Sequence, residues 1–147
     1  MSFEIAITSL MSETVGERAG TLAVVERTGR RGEMTPIHRH PHDEVVHVVE
    51  GALALVVGKE RIAIRAGETY TAPRATPHAV VVESERARYM HATVVKSAGL
   101  YEHFLRAVAI PVEDAHAAWE DEDFSRLAAL AAPNGIEIID GPHAVKA

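Results

Sequence analysis

The sequence predicts an all-β fold, a small barrel or sandwich, carrying a helical extension at its C-terminal end. Two observations lead there. Over the first 97 residues, short apolar runs are separated by turn signals at intervals that suit a sandwich or barrel. Beyond Leu100 the apolar residues fall at helical spacing instead. No internal repeat or low-complexity run interrupts the pattern, and 147 residues fit a single domain able to bury about two-thirds of its unfolded surface. Residues 1–97 are therefore read as the barrel and residues 98–147 as an extension packed on it.

Taken in order, the strand candidates are Phe3 to Thr8, Thr21 to Glu26, Ile37 to His40, Glu44 to Val49, Ala52 to Val57, Arg61 to Arg65, Thr69 to Ala72, His78 to Val82 and Arg88 to Val95. Gly58-Lys59, between a Leu/Val-rich run and an Ile-containing one, marks a tight hairpin. Ile62 and Ile64 alternate with charged or small residues, as a half-buried strand requires. From Leu100 to Ala109, Tyr101, Phe104, Leu105 and Val108 share one helical face, and Pro111 ends the helix. A second helix spans about Glu122 to Ala132 with Phe124, Leu127 and Leu130 inward and Pro133 closing it. Asn134-Gly135 then turns the chain into a short strand over Ile136 to Ile139.

The chemistry concentrates between Gly32 and Gly51, in GEMTPIHRHPHDEVVHVVEG. His38 and His40 fall on one face of a strand by its period of two, and a turn at Pro41 and Asp43 returns Glu44 toward that face. Imidazole and carboxylate together suit first-row divalent ions, whereas an all-oxygen site would suit Mg or Ca. A fourth candidate ligand, His78, ends the proline-punctuated turn GETYTAPRATPH.

These residues resemble the motifs of the cupins. The first cupin motif, G-x5-H-x-H-x3-E-x6-G, is matched at Gly32, His38, His40, Glu44 and Gly51. The second, G-x5-P-x-G-x2-H-x3-N, is matched at Gly67, Pro73 and His78, with Ala75 in place of glycine and Val82 in place of asparagine. Neither departure removes a ligand. Ala75 bears on the turn, where glycine would supply a positive φ, and Val82 puts a more apolar floor beneath the site. The resemblance implies one small double-stranded β-helix (jelly-roll) barrel. It also implies one divalent transition metal ion (Fe, Mn, Ni, Co, Cu or Zn) held by His38, His40, Glu44 and His78. A looser likeness, at Gly135-Ile136-Glu137 and Gly141-Pro142, is to single-domain cupins similar to quercetin dioxygenases, and family membership implies a homodimer.

Composition sets limits. Without cysteine, disulfide and thiolate chemistry are excluded. The opening MSFEIAITSL lacks a basic n-region and an apolar run, and no stretch reaches transmembrane length, so a cytoplasmic protein without membrane contact is expected. Residues 1–100 hold 12 acids and 12 bases, while residues 101–147 hold 9 acids and 3 bases and so carry the whole net charge of −6. An acidic tail and no basic stripe argue against nucleic acid. Arg27, Arg30 and Arg31 form the one basic cluster, read as a solvated loop before Gly32.

Among the other histidines, His42 is read as a solvent-facing turn residue, and alternation from Glu44 sends His47 to the opposite face. His91 stands on the last barrel strand with either face open to it, the face away from the pocket being favoured. His103, His116 and His143 are read as surface residues of the tail. Met90, Tyr70 and Tyr89 are candidate pocket walls, with core packing favoured for each. The resemblance implies a metal-dependent dioxygenase acting on a small aromatic or enolic substrate, with Glu44 as both ligand and catalytic base. The alternatives are a non-oxidative isomerase, cyclase or lyase, with His91 or Tyr89 as the further acid or base, and a non-catalytic small-ligand-binding protein.

Overall fold

The computed structural model describes residues 6–14, 21–108 and 121–140. Among these residues, ten strands and two helices follow one another. They are β1 (Ala6–Thr14), β2 (Thr21–Arg30), β3 (Ile37–Arg39), β4 (Glu44–Glu50), β5 (Ala52–Val57), β6 (Glu60–Arg65), β7 (Thr69–Ala72), β8 (His78–Val82), β9 (Arg86–Val95), α1 (Ala98–Val108), α2 (Asp121–Ala131) and β10 (Glu137–Asp140). A 3₁₀ turn over Ala132–Asn134 joins α2 to β10 and contains Pro133.

The strands form two five-stranded antiparallel sheets, ordered β1-β2-β9-β4-β7 and β10-β3-β8-β5-β6. Consecutive strands β4 and β5 lie in different sheets, so the chain wraps back and forth around a common interior as a jelly roll does. The reversal between them depends on Gly51, whose φ is 81° and whose place could not take a side chain, because a Cβ there would collide with the Arg86 carbonyl. Facing side chains of the two sheets make the interior. Val46, Val48, Leu53, Leu55, Ile64, Val80 and Tyr89 fill one end of it.

The other end is closed by the C-terminal segment. Tyr101, Phe104 and Leu105 of α1 pack with Ala131, Ile136 and Ile138 against Ala23 and Val25 of β2 and Val95 of β9. Leu127 is buried and Leu130 half-buried, in keeping with the helical periodicity; the side chains of Val108 and Phe124 lie outside the described residues. The last strand is more than an appendage. β10 pairs with β3, setting Ile138 opposite His38, so the tail is hydrogen-bonded into the sheet that carries the histidines.

Several boundaries differ from expectation. The first strand continues to Thr14 instead of stopping at Thr8, because its pairing with β2 runs unbroken to Thr14↔Thr21 apart from an irregularity near Ser9; residues 3–5 of the expected strand lie outside the described residues. β2 likewise extends past Glu26 to Arg30, held by a ladder to β9 that ends at Arg30↔Arg86. This corrects the reading of Arg27 as part of a solvated loop. It stands on the inward face of β2 with Ala23 and Val25 and is only 6% exposed. Pro111, His116 and His143 lie outside the described residues.

Candidate metal centre

Local geometry delivers each ligand candidate. β3 holds His38 directly opposite His78, the first residue of β8, so two imidazoles from adjacent strands project side by side with ring centroids 4.3 Å apart. His40 follows at the end of β3, its ring 5.0 Å from that of His78 and edge-on to it. Glu44 opens β4 in the other sheet, paired with Thr93 of β9 and Ala72 of β7. The nitrogens and the carboxylate oxygen that these four residues offer all lie within 4.8 Å of one another.

The turns carrying these candidates are tied together. The Asp43 carboxylate accepts the Arg74 N–H at 2.7 Å, and the His40 carbonyl accepts the Ala75 N–H at 2.8 Å. To present that N–H, Ala75 adopts a φ of 59°, a left-handed conformation that glycine takes far more readily. The sequence departure at this position therefore changes the residue and keeps the turn.

Each imidazole is also fixed from behind. His38 Nδ1 donates to the Pro36 carbonyl at 2.9 Å, His40 Nδ1 to the His42 carbonyl at 2.7 Å and His78 Nδ1 to the Thr76 carbonyl at 2.9 Å. A carbonyl only accepts, so these bonds put a proton on Nδ1 and turn Nε2 toward the centre, as metal-ligating histidines require. Glu44 Oε2 lies 2.8 Å from His40 Nε2 and 3.6 Å from His78 Nε2. His78 Nε2 is buried and has no hydrogen-bond partner. A buried nitrogen left without a partner is unfavourable, and a cation shared with the neighbouring carboxylate would satisfy it. Three imidazoles and one carboxylate fit a first-row divalent ion with one or two positions left open.

The electrostatics agree. Burial works to raise the Glu44 pKa, but the adjoining imidazoles of His40, His78 and His91 outweigh it and hold the carboxyl well below its usual range. For His78, burial lowers the pKa while the nearby Glu44 carboxylate and the bond to the Thr76 carbonyl raise it, and the net direction is up. His38 is pushed down to about 3, mainly by burial and then by the proximity of His78. A neutral His38 is free to donate its lone pair.

The cavity beside the cluster contains residues that the sequence reading did not assign to it. His91, 5% exposed, points inward with Nδ1 at 3.8 Å from Glu44 Oε1, and neither ring nitrogen has a hydrogen-bond partner. Its pKa is depressed to about 3 by burial and by the Arg27 charge. The available signal was the phase of β9: Arg86 and Arg88 alternate with Ala87, Tyr89, His91, Thr93 and Val95, all of which are buried. Asn134 is the other surprise. Its Nδ2 donates to the carbonyls of Leu100 and Leu130, which fixes the amide's orientation and leaves the buried Oδ1, without a partner, in a residue that lines the cavity. Tyr101, Phe104, Leu105, Ile136 and Ile138 complete this wall, so the C-terminal segment encloses the site.

Other expectations can be placed. His42 is exposed in its turn, His103 is exposed on α1, and His47 faces away from the cluster, with Nδ1 2.8 Å from Thr69 Oγ1. Tyr89 both lines the cavity and packs in the core, Tyr70 packs against the core, and Met90 lies half-buried on the outer face of β9.

The family that describes cupin domains matches residues 25–94, which run from β2 to β9 and include all four clustered residues. Residues 25–94 form a cupin domain. The chain is 29% identical over 130 residues to the quercetin 2,3-dioxygenase of Bacillus subtilis (strain 168), an alignment covering 85% of the chain and 38% of that relative. The chain thus spans under two-fifths of the relative's length. Among solved structures, the TT1209 protein from Thermus thermophilus superposes with a TM-score of 0.50 at 25% identity, covering 62% of this chain and 83% of the other. An RmlC-like cupin from Shewanella frigidimarina has a TM-score of 0.48 at 22% identity, covering 63% of this chain and 83% of the other. No helix among the described residues is long and apolar enough to cross a membrane.

Proposed function

We propose that this cupin is a metal-dependent dioxygenase acting on a small aromatic or enolic substrate, with His38, His40, Glu44 and His78 holding one divalent transition ion. The observation that carries the reading is the convergence of three Nε2 atoms, each oriented by a backbone carbonyl, on a buried carboxylate at the edge of a largely apolar cavity. The likeness to a quercetin 2,3-dioxygenase over 85% of the chain adds the reaction class.

A bound redox-active ion would supply open coordination positions and a path for electrons between substrate and dioxygen. The protein does the rest. Val80, Val95, Phe104, Leu105 and Ile136 form an apolar wall that excludes water and lies against a ring. Glu44 is the base: Oε1, on the side facing His91, accepts the proton of a substrate hydroxyl and so leaves the substrate as its more easily oxidised anion.

Oxygen uptake with flavonols, catechols and β-diketones, set against anaerobic controls and a His78→Ala variant, tests this. Substrate-dependent uptake that the variant loses is the expected result, and no uptake by metal-loaded protein across the panel would overturn it. A second reading, a non-oxidative isomerase, cyclase or lyase, is favoured by His91 and Tyr89 beside the centre, since either offers a further proton-transfer group. Product formation without oxygen consumption would select it. We further infer one domain overall, with residues 1–97 as barrel and 98–147 as the wall, and a homodimer, for which sedimentation showing only monomer would be the contrary result.

A further inference from the structure

One buried cation in the cavity has no part in the chemistry described so far. Arg27 stands opposite Tyr89 in the β2–β9 ladder, lines the cavity together with His38, His40 and Glu44, and is 6% exposed. Its Nε has no hydrogen-bond partner. A buried charge with an unmade hydrogen bond is unfavourable in an isolated protein, and its natural complement is an anion brought in by a ligand.

We propose that Arg27 binds a carboxylate of the substrate, so that the molecule taken by this pocket is an aromatic or enolic acid and not a neutral ring. The proposal rests on the reading of the cavity as the substrate site beside the metal cluster. A guanidinium is a planar fork of donors that matches a carboxylate in shape and charge. The charge balance of the cavity favours a monoanion. With a divalent ion bound, that ion and Arg27 would carry +3 against −2 from the buried carboxylates of Glu44 and Glu33, and the one positive charge left over suits a monoanion better than a doubly charged phosphate. Phe104, Leu105 and Ile136 offer apolar surface to the ring that carries the acid. Arg27 also contributes to the depressed pKa of His91, which indicates that its field reaches the face of the cavity where Glu44 lies.

The test uses the full chain loaded with zinc and titration calorimetry on matched pairs: 3,4-dihydroxybenzoate against 3,4-dihydroxybenzamide, and 3,4-dihydroxyphenylacetate against its amide. One charge-assisted contact should favour at least one acid over its amide by about tenfold or more. Arg27→Gln should erase that preference by weakening the acid while leaving the amide unchanged, and Arg27→Lys should keep part of it. Equal binding of acid and amide by the unaltered protein, or no binding of any acid, overturns the proposal without recourse to a variant. So does an acid preference that survives in Arg27→Gln, because the carboxylate is then held elsewhere. Oxygen uptake on the same four compounds, with a redox-active ion in place of zinc, separates this inference from the dioxygenase reading. An Arg27-dependent acid preference without uptake leaves this assignment standing and sinks that one; uptake with no acid preference does the reverse.

Discussion

Replacing Ala75 with glycine should stabilise this protein, although it removes atoms. Ala75 holds a φ of 59° so that its N–H can reach the His40 carbonyl at 2.8 Å. An L-residue in that left-handed region carries a penalty of roughly 1–2 kcal/mol, which glycine escapes. Glycine's greater freedom in the unfolded chain offsets about 0.5–1 kcal/mol of the gain. Ala75 is exposed, so no buried methyl is lost. The expected net effect is about 0.5–1 kcal/mol, or roughly 1–4 °C in Tm for a domain of this size. Urea and thermal unfolding of chelator-treated protein would measure it. Ala63→Gly is the control, since Ala63 is exposed on β6 with no positive φ and should lose about 0.5–1 kcal/mol. If Ala75→Gly destabilises as much as Ala63→Gly does, the reasoning from backbone strain is wrong.

Further outcomes follow from the centre and its frame. His38→Ala or His78→Ala should abolish metal retention while the barrel still folds, read by elemental mass spectrometry per chain beside circular dichroism; unchanged metal content in either variant would remove that residue from the ligand set. In metal-free protein, His91 has a folded pKa of about 3 against 6.5 for the free group, so only the unfolded chain takes up its proton between those values. Stability is therefore full above pH 6.5 and falls as pH drops below it, by roughly 2 kcal/mol at pH 5 from this ring. His91→Gln should reduce the loss seen between pH 7.5 and pH 5 in denaturant titrations, and equal losses in both proteins would contradict the assignment. Gly51→Ala should destabilise by about 2 kcal/mol or more, since a Cβ there meets the Arg86 backbone and φ is 81°. Full retention of Tm in that variant would refute the close-approach argument.

The grouping of His38, His40 and Glu44 was legible in the sequence because their spacing is local. His38 and His40 need only the period of a strand to share a face, and Glu44 needs only a short turn to join them. The succession of strands along the chain was legible for the same reason, since turns at Pro41–Asp43 and Gly58-Lys59 punctuate it chemically. Bounds were less so. β1 and β2 run past their expected ends because pairing partners extend them, and partners are a property of the sheet.

The rest of the pocket depends on contacts that no local pattern encodes. Arg27 reads as a loop cation next to Arg30 and Arg31, and only its ladder to β9 turns it inward against Tyr89. On β9 both faces carry apolar residues, so the inward placement of His91 rested on the weak phase signal of Arg86 and Arg88. Asn134 and Tyr101 lie far along the chain from the motifs, and they reach the cavity because β10 pairs with β3 and α1 packs across the open end. By itself the sequence determined an all-β succession of strands, the helical character of the tail and the four residues that could hold a metal, because strand period and turn chemistry act over a few residues; the barrel followed from the resemblance of its motifs to the cupins. Only the tertiary structure decided what surrounds that centre, because burial and charge at a site are set by whichever distant segments fold over it.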